Sequence, residues 1–353
     1  MDPIPHVTIR ARRLFVSGGS ALTPNAALLW VELGKLLAAE ESLTIITGGL
    51  DYLLASPQVP SADRAIVDGF LEGLRTRGTS SRDRIETFLP DPKLDWSELK
   101  RFEIGRVHIL SNRNSQSRRF RMVHSGDVLI SIEGSNGTRS VLDVALAIEK
   151  TILPLPFGGG KSREVWIEER AEICRRFHIT DSEAAEFEAI DLASLSEPDI
   201  VALAQRVCAC LLRGFTRSCF VIMPFSKEAE SVYEDAICPA LAAHGLHPLR
   251  TDKHVLSGNI LAAIREGLRN CYLAIADTTD DRPNVMYELG MAHAHDKAVI
   301  LLRHLEADGK FSQPPFDLQT DTILAYTDDM TDLRRRLETA IAFARNVALD
   351  SDG

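Results

Sequence analysis

The chain has 353 residues, 45% of them hydrophobic and 25% charged, and a formal net charge of -10. Such a length exceeds what one core usually serves, so two domains are predicted, and the composition fits a soluble globular chain with disorder expected only at its ends. The acidic balance argues against a nucleic-acid partner, because affinity for a phosphate backbone comes largely from Lys and Arg.

The opening MDPIPHVTIRARR lacks the apolar stretch of a signal peptide, and no apolar run reaches the roughly 20 residues of a spanning helix. A cytoplasmic protein without membrane contact is therefore expected. LFVSGGSA at 14–21 and LTIITGG at 43–49 read as strands running into glycine turns. VHIL at 107–110 and DVLISIEG at 127–134 are further strands; a helix follows at about 138–150, then ILPLPFGGG as a last strand. Residues 163–213 show apolar positions at helical spacing, and RGFTRS at 213–218 marks the boundary between a domain over 1–215, with a helical C-terminal part, and one over 216–353.

The second part repeats the alternation: strand 219–225, helix 228–244, short strand 246–250, helix 257–269, strand 271–277, a helix from about 284, strand 298–302. Alternating strands and helices predict an α/β protein with two doubly wound, Rossmann-like domains and mainly parallel sheets. The six cysteines are scattered, and Cys208 and Cys210 lack the spacing of a zinc site, so buried reduced thiols are predicted.

In open parallel sheets, ligands gather at the carboxyl ends of strands, where turns and helix N-termini present backbone N–H groups. Four strand ends here carry glycines, Gly18 and Gly19, Gly48 and Gly49, and Gly134 among them. In GSNGT, Gly134 and Gly137 permit close backbone approach, Asn136 lies between them, and Thr138 opens a helix whose positive end suits a phosphate. Just before it Arg113, Arg118, Arg119 and Arg121 form a basic island in an acidic protein; a solvated helix face is the plainer explanation for such a run, but its place between two strand ends points to a ligand role for one or two of the four.

Together SGGSA, ITGG, SRRFRMVHSGDVLISIEGSNGT and ILPLPFGGG resemble the SLOG superfamily, named for domains related to cytokinin-activating phosphoribohydrolases and nucleotide-derivative sensors; the resemblance spans about 14–162. It places Arg118 and Arg119 on the enzymatic branch's Arg-Lys pair and Gly134, Gly137 and Thr138 on its glycine motif. Ser140 and Val141 stand where that branch has acids, and Asp143 falls on a different helix face. Cleaving a glycosidic bond needs a carboxylate, so the resemblance implies a sensor of a nucleotide-derived signal, with an active phosphoribohydrolase as the alternative.

In the second domain Asp277 ends a strand, TTDDRPNV forms a loop, and Pro283 starts the helix NVMYELGMAHAH. Helical spacing puts Asn284, Glu288 and Ala292 on one face, with Met286, Leu289 and His293 elsewhere. Asn284 and Glu288 would suit a ribose: a carboxylate can accept hydroxyl hydrogen bonds, stabilise an oxocarbenium-like transition state or attack the anomeric carbon. The plainer alternative is an exposed glutamate and a capping asparagine. Met223, Pro224 and Phe225, then Arg250 and Asp252, then Ser257 and Asn259, converge on the same sheet edge.

FVIMPF, LRTD, IADTTDDRPNVMYELGMAHA and PPFDLQTDTILAY resemble the TIR-like proteins related to nucleoside 2-deoxyribosyltransferases, over about 219–327. That resemblance makes Glu288 the catalytic residue acting on an N-glycosidic bond, with Asn284 as helper, Asp277, Arg250 and Asp252 lining the site, and NAD as substrate. His293 and His295 lack metal-binding spacing relative to Glu288, and no metal is expected.

The pairing resembles bacterial antiphage effectors and implies a signal-gated NAD glycohydrolase: the first domain binds a cyclic nucleotide or ADP-ribose derivative, and assembly into a homo-oligomer or filament activates the second. Two other functions fit the same residues. One is a nucleoside or deoxynucleotide N-glycosidase or base transferase; the other is a non-enzymatic signalling adaptor.

Overall fold

The computed structural model describes residues 12–40, 43–93, 99–215, 218–250, 260–295, 297–305, 318 and 323–347. The chain divides at Phe215 into two compact units.

In the unit Arg12–Phe215, six parallel strands form one sheet: β1 (Arg12–Gly18), β2 (Leu43–Thr47), β4 (Ile85–Pro90), β6 (Arg106–Leu110), β7 (Val128–Ile132) and β8 (Thr151–Pro154), in the order β6-β4-β2-β1-β7-β8. β2 and β7 are buried along their whole length, as the near-continuous apolar runs of a sheet covered on both faces require. A separate antiparallel ribbon pairs β3 (Leu50–Leu53) with β5 (Leu99–Arg101).

Helices α1 (Pro24–Leu37), α2 (Ala62–Thr76), α3 (Ser115–Ser125) and α4 (Asn136–Ala147) connect the strands. Glycines let α1 and α2 pack at close range: a Cβ on Gly69 would overlap the Val31 carbonyl, and one on Gly34 would overlap that of Ile66. The helical stretch resolves into α5 (Gly160–Phe177), α6 (Asp181–Ala189) and α7 (Glu197–Gly214). Its Trp166, Phe177, Leu203, Val207 and Leu211 share one core with Trp30 and Leu37 of α1, so these helices complete the first unit.

The second unit has five parallel strands, β9 (Ser218–Ile222), β10 (His247–Leu249), β11 (Leu273–Asp277), β12 (Val299–His304) and β13 (Ile323–Tyr326), ordered β10-β9-β11-β12-β13. After β9 the helix α8 (Lys227–Ser231) runs through a π-type segment, Val232–Ile237, into α9 (Cys238–Ala243). Pro239 stands at the junction; it lacks an N–H and crowds the preceding turn, a recognised cause of such irregularity. Helices α10 (Ile260–Asn270), α11 (Pro283–Ala294) and α12 (Met330–Val347) follow.

Both sheets are doubly wound, which is the α/β architecture the alternation predicts. β4, the β3–β5 ribbon, β13 and α12 are additional to the predicted elements. Among the described residues, no helix is long and apolar enough to cross a membrane.

Candidate functional site

From β1 through β2, β4 and β6 the chain moves one way across the first sheet, then returns to β7 on the other side of β1. This reversal opens a crevice at the carboxyl ends of β1 and β7, where doubly wound sheets bind ligands. A cavity of about 320 Å³ lies there, lined by Ser17 and Gly18 of β1, Gly48, Asp63, Arg101, Arg118, Arg119 and the start of α4 at Ser135, Gly137 and Thr138.

α4 begins at the cavity with Ser135 as its N-cap and no side-chain capping bond, leaving backbone N–H groups and the positive helix end facing it. Gly134, at φ 88°, makes the turn; a Cβ there would also overlap the Thr138 hydroxyl. Thr138 is buried and donates its hydroxyl to the Gly18 carbonyl at 3.0 Å, tying α4 to β1. Glu133, just before this turn, is buried with φ 52° and accepts the Thr23 hydroxyl at 2.6 Å.

The basic residues differ in setting. Arg118 is buried and donates to the carbonyls of Gly48 at 3.1 Å and Phe88 at 3.3 Å. Arg101 donates to the same Gly48 oxygen at 3.2 Å. Arg119 is partly exposed and bonds Gln116 at 2.9 Å; desolvation, with Arg101 nearby, lowers its pKa. Arg113 and Arg121 are exposed and do not line the cavity. The ring of cation, glycine backbone and helix end suits a phosphate group.

Asp63, in the first turn of α2, also lines this cavity. It accepts the Leu50 N–H at 3.1 Å and the Thr47 hydroxyl. Burial pushes its carboxyl above the usual range, against those two bonds and the charges of Arg118 and Arg101. Sequence reasoning missed Asp63 and Arg101. An acidic residue in a helix's first turn is read as a response to the helix dipole, and Arg101 comes from a ribbon with no motif.

Several predicted positions fall beside the cavity rather than on it. The Gly19 N–H donates to the Ile132 carbonyl at 3.1 Å, and Gly49 turns at φ 68° to accept the Phe102 N–H at 2.8 Å. Asn136 is exposed and faces a neighbouring shallow depression with Gln116, Arg139, Ser140 and Asp143. Val141 is a buried wall of the cavity, Ser140 bonds Gln116 at 2.8 Å, and Asp143 pairs with Arg139 at 2.7 Å.

In the second unit the reversal lies between β9 and β11. Pro224 follows β9 and is buried, whereas Phe225 is 57% exposed. Arg250, after β10, is buried, pairs with Glu230 at 2.9 Å and lies over the rings of Tyr233 and Phe225, 4.6 and 5.6 Å from their centroids. Asp277, ending β11, is committed to the protein itself: it accepts the Tyr326 hydroxyl at 2.7 Å and the Thr279 N–H at 3.0 Å. Burial, reinforced by the charge of Asp277, pushes the Tyr326 hydroxyl well up.

The loop from β11 to α11 is clamped by Arg303, which is fully buried, donates to the Thr278 carbonyl at 2.9 Å and forks onto Asp281 at 2.8 and 2.7 Å. α11 then starts at Pro283, its N-cap Arg282 bonding Asp280 instead of the helix. Its core stripe is Val285, Leu289 and Ala292. Along the row Asn284, Glu288 and Ala292 burial rises with distance from the helix start: Asn284 is exposed, Glu288 half-buried and Ala292 wholly buried in that stripe. Asp252, Ser257 and Asn259 lie outside the described residues. His293 and His295 are exposed, and among the described residues no group of three or more His, Cys, Asp or Glu is placed to hold a metal.

No protein-family model and no curated protein matches the chain. Solved structures do, at low similarity. The molybdenum cofactor carrier protein of Chlamydomonas reinhardtii is 20% identical with a TM-score of 0.32, over 46% of this chain and 86% of that one. The molybdenum cofactor binding protein of Rippkaea orientalis is 19% identical with a TM-score of 0.31, over 41% of this chain and 76% of that one. A structural-genomics target described as TM1055 is 23% identical with a TM-score of 0.32, over 44% of this chain and 79% of that one.

Proposed function

We propose that the first unit binds a phosphate-bearing nucleotide derivative at the β1/β7 crevice, and that this binding gates an N-glycosidase in the second unit, with Glu288 as its catalytic carboxylate and NAD as its substrate. The observation that carries the first half is the cavity itself: three arginines, the uncapped start of α4 and the turn at Gly48 all line one space of about 320 Å³. That volume lies in the range of small-ligand sites. A cyclic nucleotide or an ADP-ribose derivative supplies the matching phosphate.

Support for the second half is that Glu288 lies on α11, the helix that follows the carboxyl end of β11 through a loop tied down by the Arg303–Asp281 pair. A carboxylate on a rigid element can stabilise the positive charge that grows on ribose as nicotinamide leaves. The residues TTDDRPNVMYELG, which carry the resemblance to TIR-like proteins, include both the clamp aspartate and Glu288.

Purified protein is incubated with NAD and a panel of cyclic nucleotides and ADP-ribose isomers, and nicotinamide release is followed. Release dependent on one of the panel, falling about 10²- to 10⁴-fold in Glu288→Gln, is the expected outcome. Absence of release under every condition sinks the NAD reading, and robust cleavage of deoxynucleosides without an activator replaces it with a base transferase.

A further inference from the structure

A site built only to grip phosphate has no use for a carboxylate, because a negative charge beside the arginines lowers affinity for a polyanion. Yet Asp63 lines the cavity together with Arg101, Arg118 and Arg119. Its orientation is fixed by the Leu50 N–H and the Thr47 hydroxyl, and Thr47 is itself held as acceptor of the Gly49 N–H at 3.1 Å. Arg118 Nη1 and Asp63 Oδ2 lie 2.6 and 3.2 Å from one point, the place a Cβ on Gly48 would occupy. The missing side chain at Gly48 thus lets a guanidinium and a carboxylate flank the same stretch of backbone.

We infer that Asp63 reads the vicinal hydroxyls of a ribose whose phosphate is held by the arginines and α4, so that the cavity selects ribonucleotides with both hydroxyls free, such as an ADP-ribose derivative, over cyclic nucleotides, deoxygenated analogues and bare phosphate. The inference rests on the phosphate reading of this cavity. A carboxylate accepts two hydroxyl hydrogen bonds from a cis-diol, as acidic residues do toward ribose in other doubly wound sheets. In a ribose 5-phosphate the diol and the phosphate are separated by little more than the sugar ring, which suits a cation and an anion set side by side. A base edge stands farther from the 5-phosphate.

The test is calorimetric titration of the full-length protein with AMP, 2′,3′-dideoxy-AMP and inorganic phosphate. AMP is expected to bind about 10- to 100-fold more tightly than the dideoxy compound, the size of the charged hydrogen bonds removed. In Asp63→Asn, which keeps an oxygen for the Leu50 N–H, that ratio is expected to collapse toward one while phosphate affinity holds or rises. Equal binding of AMP and its dideoxy analogue by the wild-type protein overturns the inference and leaves the phosphate site standing; so does inorganic phosphate binding as tightly as AMP. Failure of all three to bind overturns both. The wild-type comparison needs no variant, so a misfolded Asp63→Asn protein does not weaken it.

Discussion

Arg118 and Arg119 are adjacent in the chain, and the sequence offers no way to rank them, but their settings separate what each substitution measures. Arg118 ties α3 to the ends of β2 and β4 through the carbonyls of Gly48 and Phe88. Removing it takes away the Phe88 carbonyl's side-chain donor and leaves that of Gly48 to Arg101, a loss typically of about 1–3 kcal/mol. Arg119 bonds a surface glutamine and faces the cavity. Arg118→Ala is therefore expected to lower the urea midpoint as well as ligand affinity. Arg119→Ala is expected to keep stability within about 0.5 kcal/mol of wild type and weaken AMP binding. Urea unfolding beside titration calorimetry checks this; an Arg119→Ala protein that binds AMP normally moves the phosphate away from that guanidinium.

At the scale of elements, what was legible in the sequence follows from how each strand is buried. β2, β7, β9, β11 and β12 are largely apolar runs and β1 carries Leu14, Phe15 and Val16 in a row, so all are readable. β4 reads Ile-Glu-Thr-Phe-Leu-Pro, and its polar members are explained by tertiary partners: the Thr87 hydroxyl is buried and donates to the Ile104 carbonyl at 2.7 Å. Such a bond is invisible to periodicity. The glycines at Gly18, Gly48 and Gly137, which line the cavity, are legible in the sequence as strand ends and a helix start, whereas Asp63 reaches the same cavity from a helix start that carries no motif. Spacing alone groups Asn284, Glu288 and Ala292 on α11 but cannot say that Val285, Leu289 and Ala292 are the residues that meet the core. α1 and α2 carry a further consequence. Ala is normally favoured over Gly in a helix interior by about 1 kcal/mol, but at Gly69 the added methyl would overlap the Val31 carbonyl of α1. Gly69→Ala is expected to destabilise the first unit by about 1–3 kcal/mol, the usual cost of overpacking, read as a lowered thermal midpoint. A raised midpoint means the two helices can separate freely.

At the scale of the whole molecule, the two units have separate cores: Trp30, Phe70 and Trp166 belong to one, Val221, Ile275 and Leu337 to another. Separate cores make independent binding the default, and gating requires a coupling free energy between the two sites. Coupling is reciprocal for binding: if a nucleotide in the first unit tightens NAD binding in the second by some factor, NAD must tighten the nucleotide by the same factor. On the proposed function, Glu288→Gln is expected to bind NAD without consuming it, which makes the coupling measurable. Titrating that variant with AMP, with and without saturating NAD, is expected to show a shift of about 5- to 150-fold, the common span for allosteric proteins. The same protein titrated with NAD, with and without AMP, must return an equal factor. AMP affinity that ignores NAD in a variant that binds both ligands would dissolve the gate and leave two independent nucleotide sites.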